Sequence, residues 1–138
     1  MIALDTNVLA RAIAVEIDAD AATRAQRKRA QALLSSGSRL FVPVTVIEEL
    51  EWVLRGAYGM PPDDIAAVFE DMLAVENLTV DRAAGVGQAL VWYRRGLDFS
   101  DALHLAQSGL CSGIATFDAR FVKTARRLGL EPQVLAPG

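Results

Sequence analysis

The chain opens with a short apolar run, residues 1–4, that stops at three small polar residues, Asp5, Thr6 and Asn7. An apolar run without a polar break is typical of a strand buried on both faces of a parallel sheet. In open parallel sheets, ligands sit beyond the carboxyl ends of the strands, and Asp5 stands at such an end. The opening therefore favours an α/β fold and marks Asp5 as a candidate ligand-binding residue.

Strand and helix patterns alternate along the rest of the chain. Short apolar runs predict further strands at residues 40–42, 78–80, 114–117 and 134–135. Helical patterns lie at residues 8–13, 21–34, 46–55, 63–74, 82–93, 99–106 and 119–128. This alternation predicts a parallel sheet covered by helices on both faces. Because the chain has 138 residues and shows no linker or repeat, we expect one domain over residues 1–138.

Composition limits the cellular setting. No apolar run reaches membrane-spanning length and no signal pattern opens the chain, so a cytoplasmic protein is expected. The single cysteine, Cys111, excludes an internal disulfide and is expected to be a small buried side chain. The formal net charge of −3 does not favour a nucleic-acid partner. Setting aside the four acids discussed below leaves 13 acids against 14 bases, which keeps such a partner possible.

The helix predicted at residues 21–34 carries the densest basic cluster of the chain. Arg24, Arg27, Lys28 and Arg29 lie within six residues. Such a cluster is most often a solvated helix face, although it also suits contact with a nucleic-acid backbone or an acidic partner.

Three further acids share the position of Asp5 at a strand end or a helix start: Glu49, Asp101 and Asp118. Glu49 is singled out by its position in the predicted helix. Thr45 and Glu48 fit a capping box, which gives Glu48 a local role. The helix phase then places Glu49 on an apolar face, where an acid is costly unless something pairs with it, and makes Glu51 a surface partner of Arg55.

Each of these acids also has a purely structural explanation. Asp5 and Asp118 could cap helices, Asp101 could favour a helix dipole, and Glu49 could pair with a buried arginine. The lone histidine, His104, is more often a packed or capping residue than a catalyst. Three aromatic side chains are expected in the core or an interface rather than as base-stacking platforms: Trp52, Trp92 and Phe99.

The four acids together suggest more than any one of them. Two strand ends and two helix starts share one rim of such a sheet, where unpaired carboxylates repel one another and a divalent cation relieves the conflict. Ligands that are all oxygen favour magnesium, or manganese, over zinc. Water acidified by such a metal is a nucleophile for attack on a phosphodiester, and one ion or two would serve.

Four segments carry a family resemblance: LDTNVLAR, VTVIEELEWVLR, DFSDALHLA and ATFDARF. In this order they resemble a PIN-domain ribonuclease, specifically the VapC-type toxin of a bacterial toxin–antitoxin pair. The resemblance places the family's acidic quartet at Asp5, Glu49, Asp101 and Asp118. Accessory positions fall on Thr6 and Asn7 in the first polar turn, on the hydroxyl residue Thr116, and on the extra acid Asp98.

The resemblance implies a three-layer α/β/α sandwich with a central parallel sheet of four to five strands. It also implies magnesium-dependent endonucleolytic cleavage of RNA, a homodimer, and inhibition by a small cognate VapB-type antitoxin. Two other functions compete with this one. The first is a PIN-like module that binds RNA or protein without cutting. The second is a phosphohydrolase of the haloacid dehalogenase kind, which needs a second aspartate where this chain has Asn7.

Overall fold

In the computed structural model, which describes all residues from Met1 to Gly138, every paired strand runs parallel to its neighbour. Five strands and seven helices confirm the α/β class. In chain order the elements are β1 (Ile2–Ala3), α1 (Thr6–Ile13), α2 (Ala21–Leu34), β2 (Leu40–Val42), α3 (Val44–Gly56), α4 (Pro62–Ala74), β3 (Leu78–Val80), α5 (Ala83–Arg94), α6 (Phe99–Gln107), β4 (Gly113–Ala115), α7 (Ala119–Leu128) and β5 (Gln133–Leu135). The chain forms two compact units, Met1–Ala83 and Ala84–Gly138.

The first unit is built on a three-stranded sheet in the order β1-β2-β3. Ala3 pairs with Phe41, and Phe41 pairs with Thr79, so the three strands end at one common edge. In both β2 and β3 the first and third residues are buried and the middle residue is more exposed. The buried positions are all apolar. The expectation that the opening strand is buried was wrong: β1 is a two-residue edge strand, and Ile2 is 51% exposed. Only the residue after it, Leu4, is buried.

Helix α3 departs from its predicted start and phase. It begins at Val44 after Pro43, which makes no side-chain cap, so the capping box of Thr45 and Glu48 does not form. The buried face of α3 consists of Ile47, Leu50, Glu51 and Leu54. Glu51 is therefore not a surface residue: it is 3% exposed, and it accepts a 2.8 Å hydrogen bond from Arg55 Nε.

Side chains that are almost completely buried fill the interior of the first unit. They come from α1, β2, α3 and α4, so the helices and the sheet both contribute to this core. The largest are Leu9, Leu40, Val42, Ile47, Leu50, Leu54, Ile65 and Phe69. Removing such apolar surface from water is the main stabilising contribution to a domain of this kind.

The second unit contains α5, α6, the parallel pair β4 and β5, and α7. Gly85 does not interrupt α5. Instead it lets Gln107 of α6 approach closely, since a Cβ atom at Gly85 would overlap Gln107 Nε2. The ring of Tyr93 meets Phe99 edge to face, with centroids 5.2 Å apart.

Other expectations for the second unit have mixed outcomes. Phe99 is fully buried at 1% exposure, as expected for a core aromatic. Gly129 ends α7 in the left-handed conformation, as expected for a helix C-cap. Cys111 is exposed, so its assignment as a buried side chain was wrong. In the first unit, Trp52 is also outside the core, with 66% exposure.

The five strands are hydrogen-bonded as a sheet of three strands in the first unit and a sheet of two strands in the second. The organisation of the chain as a single domain stays a prediction. No helix combines the length and the apolar character that crossing a membrane requires.

Candidate active site

Asp5 follows β1 directly and caps helix α1. Its Oδ1 accepts a 2.7 Å hydrogen bond from the Thr6 backbone N–H. The structural role considered for Asp5 is therefore real, but it engages only one of the two carboxylate oxygens. A carboxylate has about four acceptor positions, so capping leaves Asp5 able to bind a further ligand.

The two residues after Asp5 differ in their surroundings. Asn7 is exposed to solvent, whereas Thr6 is only 4% exposed. Thr6 Oγ1 is buried and has no hydrogen-bond partner. Buried hydroxyl groups are nearly always paired, which makes this atom an unusual neighbour for the Asp5 carboxylate.

Asp81 has a role that the sequence did not indicate. It follows β3 as Asp5 follows β1, a position that also suits a cap for α5. Its Oδ2 instead accepts a 3.3 Å hydrogen bond from the Val44 N–H at the start of α3. This bond supplies the N-terminal acceptor that the missing capping box would have provided. Asp81 therefore helps to hold the helix that carries Glu49, and the signal for it was the second apolar run ending in an acid.

Glu49 is exposed, which corrects the argument that singled it out. The expected apolar face of Val46 and Val53 is not the buried one, so Glu49 is not an acid forced into the core. Its neighbour Glu48 is half-buried. An exposed carboxylate remains free to bind a ligand, but the case for Glu49 now rests on the family resemblance rather than on the energetics of burial.

In the second unit, Asp98 caps α6. Its Oδ2 accepts a 3.1 Å hydrogen bond from the Asp101 backbone N–H. Since Asp98 supplies the cap, the side chain of Asp101 is not needed for that purpose. Asp101 is half-buried in the first turn of α6, and His104 is exposed one turn later.

Asp118 caps α7 after β4. Its Oδ1 accepts both the Arg120 and the Phe121 backbone N–H, at 3.0 and 3.2 Å. The Asp118 N–H in turn donates to Thr116 Oγ1 at 3.0 Å, so the threonine hydroxyl braces this turn. As with Asp5, the cap uses a single carboxylate oxygen.

Two other acids lie close enough to Asp101 for their charges to affect the pKa of its carboxyl group. Burial, together with the nearby carboxylates of Asp98 and Asp118, raises the pKa of the Asp101 carboxyl to about 6, while His104 acts to lower this pKa. The three acids of the second unit therefore form a repulsive group around Asp101, which is the conflict that the sequence predicted for clustered carboxylates.

The comparison with known families gives one match. The PIN domain family matches residues 2–127 of the chain. The chain belongs to the PIN domain family. None of the curated proteins matches this PIN domain. PIN domains are typically metal-dependent nucleases, so the haloacid dehalogenase alternative has no remaining support.

The side chains of this PIN domain suit a hard divalent cation. The candidate ligands offer carboxylate oxygens, with hydroxyl groups beside Asp5 and Asp118, and oxygen donors are those that magnesium and manganese prefer. The exposed Cys111 and His104 are single residues and form no zinc-type set. No group of three or more His, Cys, Asp or Glu side chains has the spacing of a metal site. The convergence of Asp5, Glu49, Asp101 and Asp118 on one cation therefore stays a prediction.

The raised pKa of Asp101 predicts a pH-dependent stability of the metal-free PIN domain. Because the folded state holds the Asp101 proton up to about pH 6 and the unfolded state releases it near 3.8, stability falls as the pH rises between these values. Asp101→Asn removes this cost. In EDTA at pH 8 the melting temperature of the variant should be about 3 to 5 °C higher than that of the wild type. The corresponding gain in the free energy of unfolding is ~1 kcal/mol after allowance for solvent screening.

Two controls belong to this thermal-melt measurement. At pH 3.5 Asp101 is largely protonated in both states, so the difference between variant and wild type should become small. Millimolar magnesium at pH 8 should raise the melting temperature of the wild type, since a ligand that binds only the folded state stabilises it. A wild type that melts above Asp101→Asn at pH 8 in EDTA would contradict the prediction.

Proposed function

We propose that this PIN domain is a magnesium-dependent endoribonuclease that acts as the VapC-type toxin of a toxin–antitoxin pair. The observation that carries the proposal is the match of the PIN domain family, which is typically nucleolytic, over residues 2–127. The acids around Asp101 are consistent with it. Carboxylates that repel one another at neutral pH destabilise an empty site, and they acquire a purpose when a cation neutralises them. None of the four acids of the family's quartet is missing from the sequence.

The proposed cation ligands are Asp5, Glu49, Asp101 and Asp118, with magnesium as the metal and manganese as its substitute. When bound, such a cation polarises the phosphodiester and makes water a better nucleophile. The protein orients its own ligands through local hydrogen bonds. The cap to Thr6 N–H fixes the rotamer of Asp5, and the two bonds from α7 fix that of Asp118. Both keep a second oxygen for the metal.

Accessory residues support these ligands in the proposal. Thr116 braces the turn before Asp118 through its hydroxyl, and Asp98 holds the start of α6, so Asp101 projects from a fixed first turn. Thr6 and Asn7 follow Asp5 directly, and the unpartnered Thr6 Oγ1 lies in the same turn. Side chains held in this way lose little freedom on binding a metal, which favours affinity.

The toxin role adds partners to the nuclease. We propose that RNA is the substrate, that the protein forms a homodimer, and that a cognate VapB-type antitoxin inhibits it. The support for these partners is the order and extent of the four matching segments, from LDTNVLAR to ATFDARF.

The test is incubation of the purified protein with total cellular RNA, followed by mapping of new 5′ ends. With magnesium or manganese, discrete new ends should appear within minutes, and EDTA should abolish them. A mock preparation from cells without the gene controls for contaminating ribonucleases. RNA that stays intact at millimolar metal, or cleavage that persists in EDTA, would refute the proposed activity.

A further inference from the structure

A cavity of about 420 Å³ opens in the first unit, away from the acids described above. It lies between the last turn of α1, the segment that follows it, one face of α2 and the side chain of Tyr58. Its volume is within the usual range of ligand sites. Four cationic side chains line it and only one acid, Glu16, accompanies them: Arg11, Arg24, Arg27 and Lys28.

The cations of this basic cavity divide into two held and two free groups. Arg11 donates to Tyr58 Oη at 2.9 Å and to Gln26 Oε1 at 3.0 Å, and Arg24 donates to the Ala19 carbonyl. Arg27 and Lys28 make no hydrogen bond or ion pair within the protein. The cavity thus combines two cations held in place by hydrogen bonds with two cations whose side-chain N–H groups are available to a ligand.

Protein stability does not explain why these charges share one face. Arg24 lies three residues before Arg27 and four before Lys28, which places like charges side by side on α2, an arrangement that destabilises a helix. The single ion pair at the cavity joins Arg11 Nη1 to Glu16 Oε1 at 3.6 Å. Asp20, which caps α2, adds a second acid close to Arg24 and Arg11, so the cations exceed the acids by two. A surplus of this kind is compensated when an anion binds.

The position of the cavity favours a particular anion. Arg11 stands in the last turn of α1, and Asp5 caps the first turn of the same helix. Six residues of α-helix separate them by about 9 Å along the axis. Arginine guanidinium groups bind phosphate through two parallel hydrogen bonds, and a nucleic-acid backbone offers phosphates in series.

We propose that this basic cavity binds the backbone phosphates of single-stranded RNA, on the strand that the nuclease cuts beside Asp5. The inference rests on the proposed function for the identity of the nucleic acid. Arg27 and Lys28 supply the phosphate contacts, while Arg11 and Arg24 form the positive wall behind them. The interaction is independent of sequence, because it involves phosphates rather than base edges.

The test compares the double variant Arg27→Gln/Lys28→Gln with Arg29→Gln, using the full chain in EDTA so that no RNA is cut. Arg29 belongs to the same cluster on α2 but does not line the cavity. Binding of a fluorescein-labelled oligouridylate is measured by anisotropy over a series of salt concentrations. The double variant should bind about 10-fold more weakly, and its log–log salt slope should fall by about 1.4. Arg29→Gln should stay within about twofold of wild type.

Three outcomes would overturn the inference. The first is that the wild type does not bind the oligouridylate, and the second is that Arg29→Gln loses as much affinity as the double variant. The third is that the double variant binds RNA normally but no longer binds a poly-glutamate peptide, which would indicate an acidic protein partner. The proposed nuclease fails separately. A wild type that binds RNA in EDTA but never cuts it with magnesium refutes the activity alone. Cutting with an unchanged KM in the double variant refutes the cavity alone.

Discussion

Asp5→Asn is expected to lower the rate of RNA cleavage by about 100-fold or more and to leave the fold intact. Losing a ligand's negative charge removes several kcal/mol of stabilisation from a metal-assisted transition state, and each 1.36 kcal/mol is a factor of about ten in rate. The fold should tolerate the change because asparagine caps helices as well as aspartate does. Its amide oxygen can still accept the Thr6 N–H.

The matched control for this variant is Asp20→Asn. Asp20 caps α2 through a 2.7 Å hydrogen bond from the Thr23 N–H, so it performs the same structural task without belonging to the acidic quartet. Single-turnover cleavage at saturating magnesium and thermal melts are measured for both proteins. Asp20→Asn should cut within about twofold of the wild type. Comparable cleavage by the two variants would remove Asp5 from the mechanism.

Glu49→Gln is expected to lose about 100-fold or more in cleavage, whereas Glu48→Gln should lose only a few-fold. The two residues are neighbours on α3, and glutamine matches glutamate in helix propensity, so the pair isolates the effect of charge. Glu49 is exposed and Glu48 is half-buried. The loss predicted for Glu49 follows from the removal of an anionic metal ligand, worth several kcal/mol in the transition state.

The same cleavage assay decides between the two glutamates, with the melting temperature as a second readout. Glu48→Gln is expected to affect the melting temperature more than activity, because Glu48 makes contacts within the protein. Near-complete inactivation by Glu48→Gln, with Glu49→Gln fully active, would show that the quartet was assigned to the wrong glutamate.

Local signals predicted several elements correctly. The bounds of α2 at Ala21–Leu34 agree with the prediction, because strong helix formers fill the segment and polar residues end it at Ser35. β2 and β3 agree for a similar reason, since each is a short run of residues that favour strands, with apolar residues at its first and third positions. The cap by Asp98 was also accessible, because an acid three residues before Asp101 is a local pattern.

Features that depend on tertiary structure were missed. Apolar residues occur on nearly all sides of α3, so its sequence is compatible with two different buried faces. The prediction takes the face of Val46 and Val53, whereas the structure buries the face that contains Leu50. The capping box failed because Asp81, 37 residues away from Val44, supplies the acceptor instead. The exposure of β1 likewise depends on its place at the sheet edge, which a run of apolar letters does not encode.

The candidate site could be predicted only in part for the same reason. Residue types and their positions at strand ends and helix starts identified the acids. The grouping of Asp98, Asp101 and Asp118 follows from the packing of the second unit, and so does the raised pKa of Asp101. The basic cavity could not be predicted from the sequence either. The sequence does not show that Arg27 and Lys28 line a cavity together with Arg11, whereas Arg29 does not.

The buried face of α3 has a consequence for the orientation of this helix. Consecutive residues of an α-helix are 100° apart around its axis, so a turn that brought Glu49 inward would carry Leu50 and Leu54 away from the core. The ion pair of Glu51 with Arg55 would turn with the helix, because both residues belong to α3. The burial of the apolar side chains therefore opposes rotation and keeps one particular glutamate facing outward.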